Sequence, residues 1–125
     1  MNGCFDPLHY GHVLHFRAAR AFGNRLVVSV TRNAKVNKGP NRPVFDELER
    51  ADMVGEQRCV DDVLLVGGAL EALIRVRPDV FVKGTDYMES IDPVHREFCE
   101  QNGIEIAFTN EKTYSSTGLL QHYAR

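Results

Sequence analysis

Two hydrophobic patterns alternate along the chain. Short runs rich in β-branched residues, typical of buried strands, occur at 26–31, 62–66, 80–82 and 104–108. Between them, apolar residues recur every three to four positions, as in amphipathic helices, at 12–22, 46–57, 69–76 and 93–101. Strands that alternate with helices at this spacing predict a parallel sheet with helices on both faces, a three-layer α/β/α fold.

The apolar stripes also predict which helix residues face the core. Asp46 followed by Glu49 indicates a capping box at the start of the second helix. Pro93 suits the first turn of the fourth helix. The residues expected to point inward are Leu48, Ala51, Val54, Leu70, Leu73 and Ile74, and the fourth helix carries the apolar residues Val94, Phe98 and Cys99.

The start of the chain leaves little room for a first strand. A glycine turn of this kind normally follows a strand, yet only Met1 and Asn2 precede Gly3. We therefore expect either that residues 1–5 form a short stub of the first strand or that this strand is missing from the sequence.

Length and composition narrow the class of protein. A chain of 125 residues forms one domain with a core, here 1–125. The net charge of −2 gives no bulk basicity for nucleic acid or an anionic membrane. No apolar run approaches ~20 residues and no signal peptide is recognisable. Three widely spaced cysteines fit a reducing compartment, so we expect a cytoplasmic protein without disulfides.

The candidate chemistry lies in loops that should follow the strands. In parallel α/β folds, ligands bind beyond the carboxyl ends of the strands. The first such loop carries His9 and His12, with Gly11 between them, at the start of a helix. Glycines admit a ligand close to the backbone, and a helix N-terminus offers unpaired N–H groups and a favourable dipole to anions. This pattern predicts a phosphate site.

A metal site is the weaker interpretation of the same stretch. His9, His12 and His15 repeat every three residues, and three imidazoles can hold a metal ion. His15 would lie further along the helix, however, and no fourth ligand is evident. We expect His15 to be a half-buried or surface helix residue, and we predict no protein-bound metal.

Several motifs resemble a known superfamily. Gly3-Cys4-Phe5-Asp6 followed by His9-Tyr10-Gly11-His12 resembles the signature of the HxGH nucleotidyltransferases. The stretches 38–44 and 78–87 resemble the adenylyltransferase domain of bacterial ADP-heptose synthases. The stretch 58–63 resembles glycerol-3-phosphate cytidylyltransferases, and Tyr114-Ser115-Ser116-Thr117 resembles the late Ser/Thr-rich helix start of the family.

The resemblance implies a Rossmann-like fold and transfer of a nucleotidyl group from ATP or CTP to a phosphorylated small molecule. It implies that His9, His12 and Lys38 are catalytic and that Arg58 and Arg42 bind the acceptor phosphate. The implied nucleotide-binding residues are Gly3, Cys4, Phe5, Asp6, Gly11, Lys83, Gly84, Asp86, Ser115, Ser116 and Thr117. Magnesium is expected on the nucleotide phosphates, and a homodimer or a domain of a larger enzyme is the expected assembly.

A purely structural role is the alternative for some of these residues. Asp6 often serves only to shape its own turn. Arg58 can form a surface ion pair with Asp61 or Asp62. Ser116 or Thr117 can be a plain helix cap.

Three functions are compatible with the motifs. The first is transfer of AMP from ATP to a sugar 1-phosphate, as in heptose 1-phosphate adenylyltransferases. The second is a cytidylyltransferase acting on glycerol 3-phosphate or another polyol phosphate; 110–113 lacks the arginine those enzymes carry there, and Lys83 favours the ATP-using branch. The third is a nucleotide-binding module without turnover. A class I aminoacyl-tRNA synthetase would be longer, and a dinucleotide oxidoreductase would carry GxGxxG.

Overall fold

The computed structural model describes residues 1–84 and 91–109. Within these ranges, the strands are β1 (Asn2–Gly3), β2 (Val27–Thr31), β3 (Asp62–Val66), β4 (Val80–Gly84) and β5 (Glu105–Thr109). The helices are α1 (Tyr10–Arg20), α2 (Glu47–Gly55), α3 (Ala69–Val76) and α4 (Pro93–Gln101), with a short 3-10 turn at Asn33–Lys35. The helix start predicted at Tyr114-Ser115-Ser116-Thr117 lies outside the described residues.

All strand pairs in the described ranges are parallel. β2 pairs with β1 on one side and β3 on the other, and β4 pairs with β5. The predicted parallel α/β fold is confirmed. Its hydrogen-bonded ladders form two parts, β1-β2-β3 and β4-β5, rather than one continuous sheet.

The first strand is the short stub that the sequence allowed. Its two residues pair with Ser29 and Val30 of β2. Met1 extends the ladder by one position, because its amino group donates to the Val27 carbonyl at 2.9 Å and its carbonyl accepts from Ser29 N–H at 2.8 Å. The turn that follows is therefore anchored to β2.

Helices cover both faces of the strands. Phe16 of α1 and Val54 of α2 pack with Val82 in one core cluster. Leu73 of α3 and Cys99 of α4 pack in a second cluster, which includes Phe81. Neighbouring strand residues point to opposite faces, so the separation of Phe81 from Val82 shows the three layers directly.

Two residues predicted to face the core are instead exposed: Leu48 (69%) and Ile74 (48%). On α2, the inward face is set by Arg50 and Val54, one turn apart and both fully buried. Leu48 precedes Arg50 by two positions, which places it on the opposite side of a 3.6-residue helix. On α3, the alanines Ala69 and Ala72 take inward positions instead of Ile74.

Helix boundaries otherwise follow the sequence signals closely. The capping box is confirmed: Glu49 N–H donates to the Asp46 carboxylate at 2.8 Å, and Asp46 N–H donates back to Glu49 at 3.2 Å. α1 begins two residues earlier than expected, at Tyr10, with His9 as its N-cap. Over 1–84 and 91–109, none of the helices combines the length and apolarity needed to cross a membrane.

Candidate active site

The carboxyl ends of β1 and β2 carry the candidate site. The first turn leaves β1 at Gly3 and enters α1 through its N-cap, His9. The loop that leaves β2 carries Lys38 and returns through α2. Both connections lie at the sheet edge where ligands bind in parallel α/β folds.

His9 and His12 form a stacked pair in the first turn. Their ring centroids are 3.8 Å apart and the ring planes differ by 20°. Nδ1 of His12 accepts a hydrogen bond from the His9 backbone N–H at 3.1 Å. Because a neutral imidazole carries one proton, that proton must sit on Nε2, which makes the outer nitrogen of His12 a hydrogen-bond donor.

Both imidazoles are neutral at pH 7. Burial, together with the charges of His9, His15 and Lys38, lowers the pKa of His12 to about 3. Burial and the charge of Lys38 also lower the pKa of His9. The pair therefore offers oriented N–H donors rather than fixed positive charges.

Lys38 supplies the positive charge beside this pair. Its side chain is exposed in the loop between the 3-10 turn and α2. Its charge acts on the pKa of both histidines, so its ammonium lies within electrostatic reach of each ring. The structure thus pairs His9 with His12 and places the charge of Lys38 where it acts on both rings.

Phe5 and Gly3 fix the path of the turn. Phe5 has a positive φ of 50° and a buried ring, which packs edge-on against His12 at 4.9 Å and against Phe16 at 5.5 Å. A Cβ at position 3 would lie 2.8 Å from Cζ of Phe5. Gly3 is therefore needed so that the ring can sit on the backbone beneath His12.

Asp6 and Arg42 tie the Lys38 loop to the first turn. Asp6 is fully buried, and its carboxylate accepts from Nε of Arg42 and from Val44 N–H, both at 2.6 Å. Arg42 also donates to the Asp6 carbonyl at 2.7 Å. Asp6 thus does more than shape its own turn, and the guanidinium predicted to bind the acceptor phosphate is held against a buried carboxylate.

Sequence reasoning missed Arg50. Its guanidinium is fully buried and donates to the carbonyls of Phe45 (3.0 Å), Cys4 (2.8 Å) and Thr31 (2.7 Å), and to the Asn33 side chain (2.7 Å). It therefore joins the ends of β1 and β2 to the start of α2. The available signal was an arginine one helical turn before the core residue Val54.

His15 links α1 to the last described strand. Its Nδ1 lies 2.5 Å from the Thr109 hydroxyl at the end of β5. Burial, with the amino terminus, lowers the pKa of His15 to about 4. The ring is half-buried, as expected, and over the described part of the chain no cluster of His, Cys, Asp and Glu could hold a metal ion.

The remaining predicted residues occupy different places. Cys4 contributes its carbonyl to Arg50, Gly11 lies in the first turn of α1, and Lys83 and Gly84 end β4. The Lys83 ammonium lies 5.3 Å from the Phe81 ring centroid, and burial lowers its pKa while Asp92 opposes that shift. The structure does not describe Asp86, Ser115, Ser116 or Thr117.

Arg58 is not brought to this edge. It lies in the connection between α2 and β3, which leads to Asp62 opposite Val27, at the amino ends of the strands. Its charge is exposed there. Its predicted contact with an acceptor phosphate, like that of Arg42, stays a prediction.

Comparison with known proteins supports the motif assignment. A family model described as cytidylyltransferase-like matches residues 1–120. The bifunctional protein HldE of Azorhizobium caulinodans is 41% identical over 128 residues, covering 99% of this chain and 26% of the relative. HldE of Magnetococcus marinus is 44% identical over 125 residues, covering 96% of this chain and 26% of that protein. The chain spans about a quarter of the length of these relatives.

A solved structure shares the fold. The lipopolysaccharide core biosynthesis protein from Thermoplasma volcanium superposes with a TM-score of 0.75 at 26% identity, covering 90% of this chain and 94% of that one. The Rossmann-like fold and the predicted resemblance to the HxGH nucleotidyltransferases are thereby confirmed. Because the family model spans nearly the whole chain, this chain belongs to the cytidylyltransferase-like family.

Proposed function

We propose that this chain catalyses transfer of AMP from ATP to a sugar 1-phosphate, or a similar phosphate ester, with release of pyrophosphate. The observation that carries this proposal is the stacked His9–His12 pair at the N-terminus of α1, with Lys38 within electrostatic reach. Hydrogen-bond donors, a helix dipole and an exposed lysine charge suit the phosphates of a nucleoside triphosphate.

The reaction requires positioning and charge stabilisation more than covalent help from the protein. An oxygen of the acceptor phosphate attacks the α-phosphorus of ATP. A new P–O bond forms as the bond from the α-phosphorus to the bridging oxygen breaks, and pyrophosphate leaves with the electron pair. Nε2–H of His12 would donate to a phosphate oxygen as negative charge shifts there, and Lys38 would neutralise the leaving group.

Magnesium fits this scheme as a companion of the nucleotide. The described side chains nearest the site are neutral imidazoles and a lysine, and the carboxylate of Asp6 is occupied by Arg42. A magnesium ion would therefore be held mainly by phosphate oxygens and water. It would supply further charge neutralisation on the triphosphate.

A pyrophosphate-release assay tests the proposal. ATP and CTP are each offered with a panel of sugar 1-phosphates and polyol phosphates. We expect release with ATP and a sugar 1-phosphate; release with CTP and a polyol phosphate would favour the cytidylyltransferase alternative. Release with neither nucleotide, together with measurable ATP binding, would indicate a binding module without turnover.

His12→Ala tests the assigned chemistry. Because the variant removes a donor aimed at the developing charge, we expect kcat to fall by roughly two decades or more. Arg17→Ala, on the exposed side of the same helix, is the matched control and should retain the parent rate. A His12→Ala rate equal to that of the control would reduce His12 to a capping residue.

We also infer the setting from the family. We expect a single domain, 1–125, that acts on small-molecule substrates in the cytoplasm. It would act as a homodimer or as one part of a larger enzyme, since it matches about a quarter of the length of its relatives. Light scattering of the purified chain measures the assembly directly.

A further inference from the structure

The tip of the loop that carries Lys38 consists of residues 37–41, which are all exposed. Within the described part of the chain, none of these five residues donates or accepts a hydrogen bond. Gly39 and Asn41 have positive φ values of 95° and 62°, which bend the chain back at this point. The position of Lys38 therefore depends on how the two ends of the tip are held.

A latch between Arg42 and Asp6 holds the far end of the tip. Arg42 follows Lys38 by four positions, and Asp6 precedes the N-cap residue His9 by three. Nε of Arg42 donates to the Asp6 carboxylate at 2.6 Å, and a terminal nitrogen donates to the Asp6 carbonyl at 2.7 Å. The second carboxylate oxygen accepts from Val44 N–H at 2.6 Å. The latch thus joins the Lys38 loop to the turn that carries the histidine pair.

Burial distinguishes this latch from a surface ion pair. The Asp6 side chain is fully buried and that of Arg42 is 9% exposed, so dissolved salt screens the pair little. Two of the three guanidinium nitrogens donate to Asp6. An acceptor phosphate would have to compete with the buried carboxylate for these nitrogens. The geometry therefore favours a link between loop and turn over contact with a substrate.

The latch also limits how far Lys38 can move from the histidine turn. An extended chain spans about 3.5 Å per residue, so the four positions between Lys38 and Arg42 allow a reach of at most ~14 Å. Without the latch, the next fixed point is Phe45, whose carbonyl accepts from Arg50 at 3.0 Å. The reach then grows to roughly 25 Å. Because a displacement of ~1 Å can cost about a hundredfold in rate, the latch matters for a lysine on an exposed tip.

We propose that Arg42 is a positioning residue for the transfer reaction: its latch to Asp6 holds Lys38 within reach of phosphates bound at the histidine turn. This inference rests on the proposed function, and it assigns Arg42 a role that acts through Lys38 rather than on the acceptor phosphate. In the latched structure, the charge of Lys38 acts on the imidazoles of both His9 and His12.

A double-mutant cycle between Arg42 and Lys38 tests this role. Arg42→Gln should lower kcat at least about tenfold and change the KM for the sugar 1-phosphate less than about twofold, because the substrate loses no ligand. In the Lys38→Ala background, the same substitution should lower kcat less than about twofold, since the group that Arg42 positions is already absent. Arg96→Gln, on the exposed surface of α4, is the matched control and should keep the parent rate.

Two kinetic outcomes would overturn the proposal. Equal losses of kcat in the two backgrounds would show that Arg42 acts independently of Lys38. A KM for the sugar 1-phosphate raised about tenfold at unchanged kcat would show that Arg42 contacts the acceptor phosphate. If Arg42→Gln alone does not fold, the cycle is run with Asp6→Asn added, so that no buried carboxylate is left unpaired.

Limited digestion with trypsin measures the latch without catalysis. Cleavage after Lys38 should be at least about tenfold faster in Arg42→Gln than in the parent chain, while cleavage after Arg17, within α1, stays at the parent rate. Unchanged cleavage after Lys38 would contradict the latch. A failure of the proposed reaction would appear as absent pyrophosphate release from the parent chain, whereas a failure of this inference appears only in the variants.

Discussion

At the scale of residues, the backbone path of the first turn is set by packing as much as by its own sequence. The Phe5 ring is held between Gly3, His12 and Phe16 and is almost fully buried. The ring supports the histidine pair through its edge-on contact with His12. The backbone of Phe5, at a φ of 50°, is therefore specified by the contact that its ring makes.

Gly3→Ala tests that arrangement. The added Cβ would lie 2.8 Å from Cζ of a ring that has no room to withdraw, so we expect a loss of about 1–3 kcal/mol in the free energy of unfolding. Gly23→Ala is the matched control, since nothing lies within 4 Å of the point that its added methyl group would occupy. Urea denaturation of both variants measures the difference, and equal midpoints would show that Phe5 yields easily.

The residues of the site differ in how far the sequence could reveal them. His9 and His12 are neighbours on a helix start, so a local pattern sufficed to pair them. Asp6 and Arg42 are 36 positions apart and meet only because the loop folds back onto the turn. A local pattern carries no information on that contact. The contact makes Arg42 the partner of a buried carboxylate.

At the scale of elements, α2 acts as a clamp on the strand ends. A buried arginine is costly unless its donors are satisfied, and Arg50 has acceptors from both strand ends and from the loop before α2. The sequence predicted this helix and its capping box correctly. The prediction for Leu48 was wrong because the inward position on this helix is held by Arg50, a charged side chain that an apolar pattern does not reveal.

Replacing Arg50 by methionine removes the clamp while filling similar volume. Buried carbonyls of Cys4 and Thr31 would lose their donor, so we expect a loss of about 3 kcal/mol or more in unfolding free energy. Arg96→Met, on the exposed surface of α4, should change stability by less than about 0.5 kcal/mol. Chemical denaturation compares the two, and a similar small loss in both would show that Arg50 is dispensable.

At the scale of the whole molecule, the alternation of strands and helices was sufficient to predict the layers, because crossover connections leave few arrangements. It could not predict that the hydrogen-bonded ladders form two parts, β1-β2-β3 and β4-β5. Buried ionisable groups also make the stability of the whole chain depend on pH.

We predict that stability falls as the pH is lowered from 8 to 4. The folded-state pKa values of the Met1 amino group, His15 and His12 are lowered to about 6, 4 and 3. Between each of these values and the higher unfolded value, the unfolded chain binds more protons. Lowering the pH through that window therefore favours unfolding, by at most about 1.4 kcal/mol per pH unit for each group.

Separate variants divide this dependence into its windows. His15→Gln should flatten the slope between pH 6.5 and 4, because it removes one group that must gain a proton on unfolding. A chain extended before Met1 should flatten only the window between pH 8 and 6, where the buried amino group titrates. Urea midpoints measured at half-unit steps resolve the two effects. A parent chain equally stable at pH 5 and pH 8 would show that the imidazoles and the amino group reach water in the folded state.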